Sequence, residues 1–273
     1  MRKNIFKGLA LSLAAINVAI PYLKRHMELE SNGKIISMDG PIIEQADLAY
    51  YIIPGIVPPP YPEYNQFITG YNKGMHGHCF FVDYGKDHYS PKNSAKLIVH
   101  HAVANHIKEI RLLTISIGSQ LVPFIATELA NTAISCRIWA IDPCMCPNYL
   151  WPNVRKSLRI SMPFAIILKI ILGWVGQQRI IPRNNALRSY AEICEQAKAI
   201  TYTDYTHKMT ILPKNTTVAG FIISQDDEFV NAHNAINEDV EDRYLWGLKH
   251  CRFAENWRAY LEALDDLGFY SYP

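Results

Sequence analysis

From residue 27 onward, short apolar runs rich in β-branched and aromatic residues alternate with stretches of helical period, and no other feature constrains the fold so tightly. Ala49–Ile53, His78–Tyr84, Ile110–Ile115, Ser135–Ile141 and Thr217–Ile223 are apolar over most of their length, too short for helices, and flanked by turn-forming or polar residues. Strands apolar on both faces need cover on both sides, which only a sheet sandwiched between helices supplies. The helical periods fall between them: about Asn93 to Ile107, Gln120 to Asn131 with Pro123 in its first turns, and Trp257 to Leu267 at the end. Ahead of the first buried strand, Asn32-Gly33 separates Met27–Ser31 from Lys34–Met38 and reads as a hairpin turn.

Length and composition narrow the class. With 273 residues, 49% of them apolar, one large α/β domain is favoured over two small ones. The formal charge of +2 offers no strong field for a polyanion, so a nucleic-acid partner is not expected. Six cysteines are scattered along the chain with Cys144-Met145-Cys146 the one close pair, which spells neither a disulfide framework nor a zinc ribbon.

Residues 1–26 stand apart. Arg2, Lys3 and Lys7 precede an uncharged run from Gly8 to Leu23, and Lys24, Arg25 and His26 follow it. Sixteen residues rise ~24 Å as a helix, just short of a ~30 Å hydrocarbon core. The pattern predicts an uncleaved anchor, hence membrane association through residues 1–26, with a helix docked on the domain's own surface and a cytoplasmic protein as the alternative. Residues 27–273 then form the domain. Between Ile141 and Thr217 lie about 75 residues that the sheet does not need, including the apolar Met162–Val175. A helical cap over about 147–185 with an apolar underside accounts for them, as does an ordinary buried helix. Asn215-Thr216-Thr217 spells a glycosylation sequon, a triplet common by chance.

Three segments carry candidate chemistry. In Leu112-Leu113-Thr114-Ile115-Ser116-Ile117-Gly118-Ser119-Gln120 an apolar strand stops at a serine and a helical period begins at once. A nucleophile on a strand-to-helix turn needs small neighbours two residues before and after. Gly118 meets that need, whereas Thr114 replaces the usual glycine. Read alone, Ser116 is equally a helix N-cap. In Gly220-Phe221-Ile222-Ile223-Ser224-Gln225-Asp226-Asp227-Glu228 a buried strand runs into acids, where open α/β sheets place their sites, although acids also favour helix starts. His250, in Leu248-Lys249-His250-Cys251-Arg252, precedes the last helix. The chain order serine, acid, histidine is what lifts these segments above their bland readings.

Over roughly Ala49 to the C-terminus the sequence thus resembles the α/β-hydrolase family. The resemblance rests on the T-I-S-I-G turn, A-I-D-P at Ala140–Pro143, the long insertion, S-Q-D-D-E-F-V and H-C-R-F-A-E. It implies a mostly parallel central sheet flanked by helices, with a cap insertion. It further implies Ser116 as nucleophile, Asp227 as acid with Asp226 as the alternative, and His250 as general base. The two oxyanion donors would be the amide of Ile117 and that of Ile56 or Gly55, after Pro54 in the place of a frequent histidine. The implied activity is serine-dependent hydrolysis of a carboxylic ester or related acyl bond, on a hydrophobic acyl substrate if Met162–Val175 lines the cap. An acyltransferase using the same residues and a non-catalytic binding protein at a membrane surface remain open. The small-molecule acyl substrate is the expected partner and the oligomeric state is left undetermined. No glycine-rich nucleotide loop is present, and neither His76-Gly77-His78 nor His100-His101 with His106 has a carboxylate at ligand spacing, so no cofactor or metal is expected.

Overall fold

The computed structural model describes residues 33–38, 45–55, 75–83, 90–145, 147–161, 163, 199, 212–231, 240–251 and 253–271. The expected strand Met27–Ser31, the N-terminal run 1–26, Ile56, Cys146 and all of Met162–Val175 except Pro163 lie outside the described residues. Among the described residues no helix is long and apolar enough to cross a membrane.

Seven strands form one sheet: β1 (Lys34–Ser37), β2 (Gln45–Ile53), β3 (Gly77–Asp83), β4 (Glu109–Ile115), β5 (Ser135–Ile141), β6 (Thr216–Ser224) and β7 (Asp242–Leu245), in the spatial order β1-β3-β2-β4-β5-β6-β7. Only β1 runs antiparallel, against β3; every other pair is parallel. Helices α1 (Pro91–Ala104) and α2 (Val122–Leu129) are followed at the chain end by α3 (Phe253–Asp266).

The apolar runs become strands because both their faces are buried. Tyr50, Ile52, Leu113, Ile115, Trp139 and Ile222 point into a core closed by Tyr260, Leu264 and Phe269. Their alternates Tyr51, Ile53, Leu112 and Ile138 pack against Ile98, Val99, Ile125 and Leu129 of α1 and α2. This two-residue alternation is the sheet's own geometry, and it explains why the sequence shows unbroken apolar runs rather than an amphipathic stripe. Local signals set the helix ends. The Ser90 hydroxyl accepts from the Asn93 amide ahead of Pro91, and Pro123 sits in the first turn of α2 where its missing N–H costs nothing. Asn256 leaves helical geometry at φ −156° and ψ 66°, and its Oδ1 accepts from Ala259 N at 3.3 Å, so the regular part of α3 begins at Trp257 as its period predicts.

One further strand lies outside the buried runs that the sequence marks. The residues Asp242-Arg243-Tyr244-Leu245 pair in parallel with Phe221–Ser224 as an edge strand. Half-buried and charged, they carry neither the apolar run nor the alternation that marks a strand. The consequence for the site is register: Ile115 lies opposite Ile141, Ile141 opposite Ile222, and Ser224 opposite Leu245. The carboxyl ends of β4, β5, β6 and β7 therefore form one rim.

Candidate active site

On that rim β4, β5 and β6 each end at or just before a polar residue: Ser116, Asp142 and Ser224. Ser116 follows β4 directly, with φ +50°. Left-handed backbone costs a non-glycine residue roughly 1–3 kcal/mol and persists only where the surroundings enforce it. Here they do. The Ser116 carbonyl accepts from Cys144 N at 3.1 Å, and a Cβ on Gly118 would lie 2.6 Å from the Ile53 carbonyl and 2.9 Å from that of Pro54. Gly118 is therefore a point where two backbones touch. Thr114, in the usual glycine position, is fully buried; its hydroxyl donates to the Trp139 carbonyl at 3.3 Å and lies 3.4 Å from Ser119 Oγ. The larger residue is accommodated because its hydroxyl finds partners.

Asp227 lies three residues beyond β6, and 7% of it is exposed. One carboxylate oxygen, Oδ1, accepts from the amides of Phe229 and Val230, each at 2.7 Å. The other, Oδ2, lies 2.6 Å from His250 Nδ1. His250 Nε2 in turn lies 2.8 Å from Ser116 Oγ. A carboxylate only accepts, so Nδ1 carries the ring proton and the Nε2 lone pair accepts from the serine hydroxyl. Asp226, the alternative acid, is exposed and its amide donates to the Leu248 carbonyl. The two aspartates differ because the turn after β6 buries one and leaves the other in solvent.

Burial on its own would push the His250 imidazole down. The hydrogen bond to Asp227 and the negative charges of Asp142, Asp227 and Glu228 outweigh it, and the ring ends above the ordinary histidine value. The backbone of this loop is also held, since His250 N donates to Glu228 Oε2 at 3.1 Å.

Asp142, the acid of A-I-D-P, is the site residue to which the sequence assigned no role. It follows β5 at φ +45° and is 2% exposed. Its Oδ1 accepts from Ser224 N at 2.6 Å, and its Oδ2 accepts from Ser224 Oγ and Cys251 N, both at 2.8 Å. Ser224 Oγ also lies 3.0 Å from the Tyr260 hydroxyl. Burial pushes the Asp142 carboxyl up, opposed by the nearby His250. Burial also pushes the Cys251 thiol well up, so it is not an activated thiolate. Only the acid after a strand was legible, because its partners stand far away in sequence.

The expected oxyanion donors divide. Ile117 is buried next to Ser116, and a Cβ on Gly55 would stand 3.2 Å from the serine Cβ, so the loop after β2 abuts the nucleophile position. Ile56 lies outside the described residues.

The insertion begins on this site. Residues 152–161 are helical, and just before them Trp151 Nε1 donates to the Asp227 carbonyl at 2.9 Å. Leu150 bridges to Val230, and the two pack with Ile117 and Cys144. Phe229 is 48% exposed with its ring 5.6 Å from the His250 imidazole, edge to face. An apolar wall thus borders the histidine.

Among the described residues, one set of three ligand-type side chains stands close enough for a cation: Asp142, His250 and Cys251. Both imidazole nitrogens in that set already face Asp227 and Ser116, and the thiol holds its proton, so the donor set does not fit a metal. His101, part of the histidine group weighed in the sequence, packs edge-on against Phe80 and bonds the Tyr51 hydroxyl at 2.9 Å through Nδ1.

No protein-family model matches the chain, and no curated protein matches it. Solved structures do. An α/β hydrolase enzyme from a Medee basin deep-sea metagenome library superposes with a TM-score of 0.60 at 14% identity, covering 89% of this chain and 96% of the other. A carboxylesterase structure from the ammonia-oxidizing thaumarchaeon Nitrososphaera gargenis gives 0.58 at 11% identity, covering 88% and 95%. The N-formylmaleamic acid deformylase of Pseudomonas putida S16 gives 0.56 at 15% identity, covering 85% and 95%.

Proposed function

We propose that this chain, which has the α/β-hydrolase fold of those structures, is a serine hydrolase that cleaves a carboxylic ester or related acyl bond through Ser116, His250 and Asp227. One observation carries the reading: a continuous hydrogen-bonded line from Ser116 Oγ through both nitrogens of His250 to a buried carboxylate. That three such groups meet, the serine in strained backbone at a strand end, is what nucleophilic catalysis requires. The solved structures with this fold include a carboxylesterase and a deformylase, which supports the reading.

In this reading His250 Nε2 takes the serine proton as Oγ attacks the acyl carbon, and the carbonyl electrons move onto its oxygen. Asp227 holds the ring in the tautomer that makes Nε2 the base and balances the imidazolium charge that forms. The oxyanion is met by the Ile117 amide and by an amide of the loop after β2, Gly55 or Ile56. Collapse expels the alcohol or amine, protonated by His250. Water, deprotonated by the same nitrogen, then releases the acid and restores Ser116. The half-exposed Phe229 beside His250 and the Leu150–Val230 wall favour an apolar group on the substrate. The helical stretch 152–161, which opens the insertion, would be the near edge of a cap.

A fluorophosphonate probe, with the modified peptide mapped by mass spectrometry, tests the reading. Phosphonylation of wild type at Ser116 and its loss in Ser116→Ala are the expected results. A folded wild type that stays unlabelled overturns the enzyme reading and leaves the binding-protein alternative.

A further inference from the structure

Building on that reading, we propose that Asp142 is a positioning residue: its carboxylate ties the loop carrying His250 to the strand end carrying Asp227, so that imidazole and acid meet in register. The ties are direct. Oδ1 holds the amide of Ser224, the last residue of β6 and three before Asp227. Oδ2 holds the Ser224 hydroxyl and the amide of Cys251, the residue after His250. One buried side chain at the end of β5 thus joins the end of β6 to the loop after β7.

The backbone shows what the strap works against. Cys251 sits at φ +48° and Asp142 itself at φ +45°, both in the region that disfavours side chains. A loop in that state relaxes unless something holds it. The two peptide N–H groups at residues 250 and 251 are held by two carboxylates, Glu228 and Asp142. Glu228 comes from the acid's own turn, whereas Asp142 comes from a neighbouring strand inside the sheet rim. Release of the Cys251 amide would free the imidazole to swing while leaving Asp227, fixed by the Phe229 and Val230 amides, where it is. Asp142 also adds negative charge near the ring, alongside Asp227 and Glu228.

Asp142→Asn is the test, because it keeps the shape, removes the charge and replaces one acceptor by a donor. His250 is observed directly by NMR titration of its ring protons, a readout independent of turnover. The expected result is a His250 titration moved to lower pH, a weakened low-field Nδ1 proton signal and phosphonylation of Ser116 slowed at least tenfold. Ser224→Ala, which removes one of the two bonds from Ser224 and leaves the Cys251 tie, is expected to slow labelling less than threefold. A His250 titration and Nδ1 signal unchanged in a folded Asp142→Asn protein overturn the inference whether or not the wild type labels. An unlabelled wild type whose Asp142→Asn form shows the NMR changes overturns the hydrolase reading and upholds the strap. Hydrogen exchange at the Cys251 amide of wild type needs no variant: protection of at least a hundredfold over an open loop is expected, and exchange at the open-loop rate overturns the inference.

Discussion

At the scale of single residues, the site is defined by contacts that tolerate no added atom. Gly118 is the sharpest. A methyl group there meets two backbone carbonyls, Ile53 and Pro54, neither of which is the free end of a flexible side chain. Gly118→Ala is therefore expected to cost about 1–3 kcal/mol by overpacking. It should also move the turn that holds Ser116, so labelling at Ser116 should fall by more than tenfold. Thermal melting and labelling rate measured on the same protein check both parts, and a variant as stable and as reactive as wild type would contradict the packing argument. Thr114 makes the opposite point. It departs from the usual pattern and is nonetheless absorbed, because its hydroxyl reaches Trp139 and Ser119. Ser224 likewise bonds Asp142 and lies within hydrogen-bond reach of Tyr260. A polar side chain that departs from a motif is absorbed where its hydroxyl finds partners.

At the scale of elements, the turn between α2 and β5 is closed by one amide. Asn215 Nδ2 donates to the carbonyls of Leu129, Thr132 and Ile134 at 3.0, 3.3 and 2.9 Å. The sequon asparagine is thus a clasp, its nitrogen committed to three acceptors in the folded chain. Asn215→Ala takes a donor from the Thr132 and Ile134 carbonyls, while that of Leu129 keeps the Thr132 amide and hydroxyl, and is expected to cost about 1–3 kcal/mol. Thr217→Ala, two residues on at an exposed position of β6, is expected to stay within about 0.5 kcal/mol. Urea midpoints of the two variants check the contrast. The elements also show what a sequence discloses. Strands β2 through β6 were legible because burial on both faces writes a continuous apolar run. Edge strand β7 was not, since Asp242-Arg243-Tyr244-Leu245 is half solvated and its pairing is set by β6 rather than by its own pattern. The grouping of Ser116, Asp227 and His250, whose side chains meet in the structure, was suggested by their order and by the resemblance to a family. The strap at Asp142 was not, because hydrogen bonds from Ser224 and Cys251 exist only once β5, β6 and β7 have come into register. Local chemistry reads off a chain; convergence of distant backbone does not.

At the scale of the whole molecule, the proposed mechanism makes one proton couple stability to activity in opposite senses. His250 in the fold binds its proton more tightly than the ordinary histidine value of 6.5, although burial, the largest single influence, works the other way. A group raised in this manner stabilises the fold in full below its unfolded value, and the stabilisation disappears as pH climbs through the folded value. The window for His250 therefore opens at 6.5 and extends upward. The Asp142 carboxyl, raised chiefly by burial, acts with the same sign in a window that opens lower, at 3.8. The proposed mechanism needs the neutral imidazole, so acylation of Ser116 is expected to rise across the very window in which His250 ceases to stabilise. The melting temperature of wild type relative to His250→Gln is expected to be greatest near pH 6 and to shrink toward pH 8.5, while the phosphonylation rate of wild type climbs over that interval. A melting difference that grows with pH would mean that the buried imidazole is held neutral, and that the carboxylates around it fail to offset its burial.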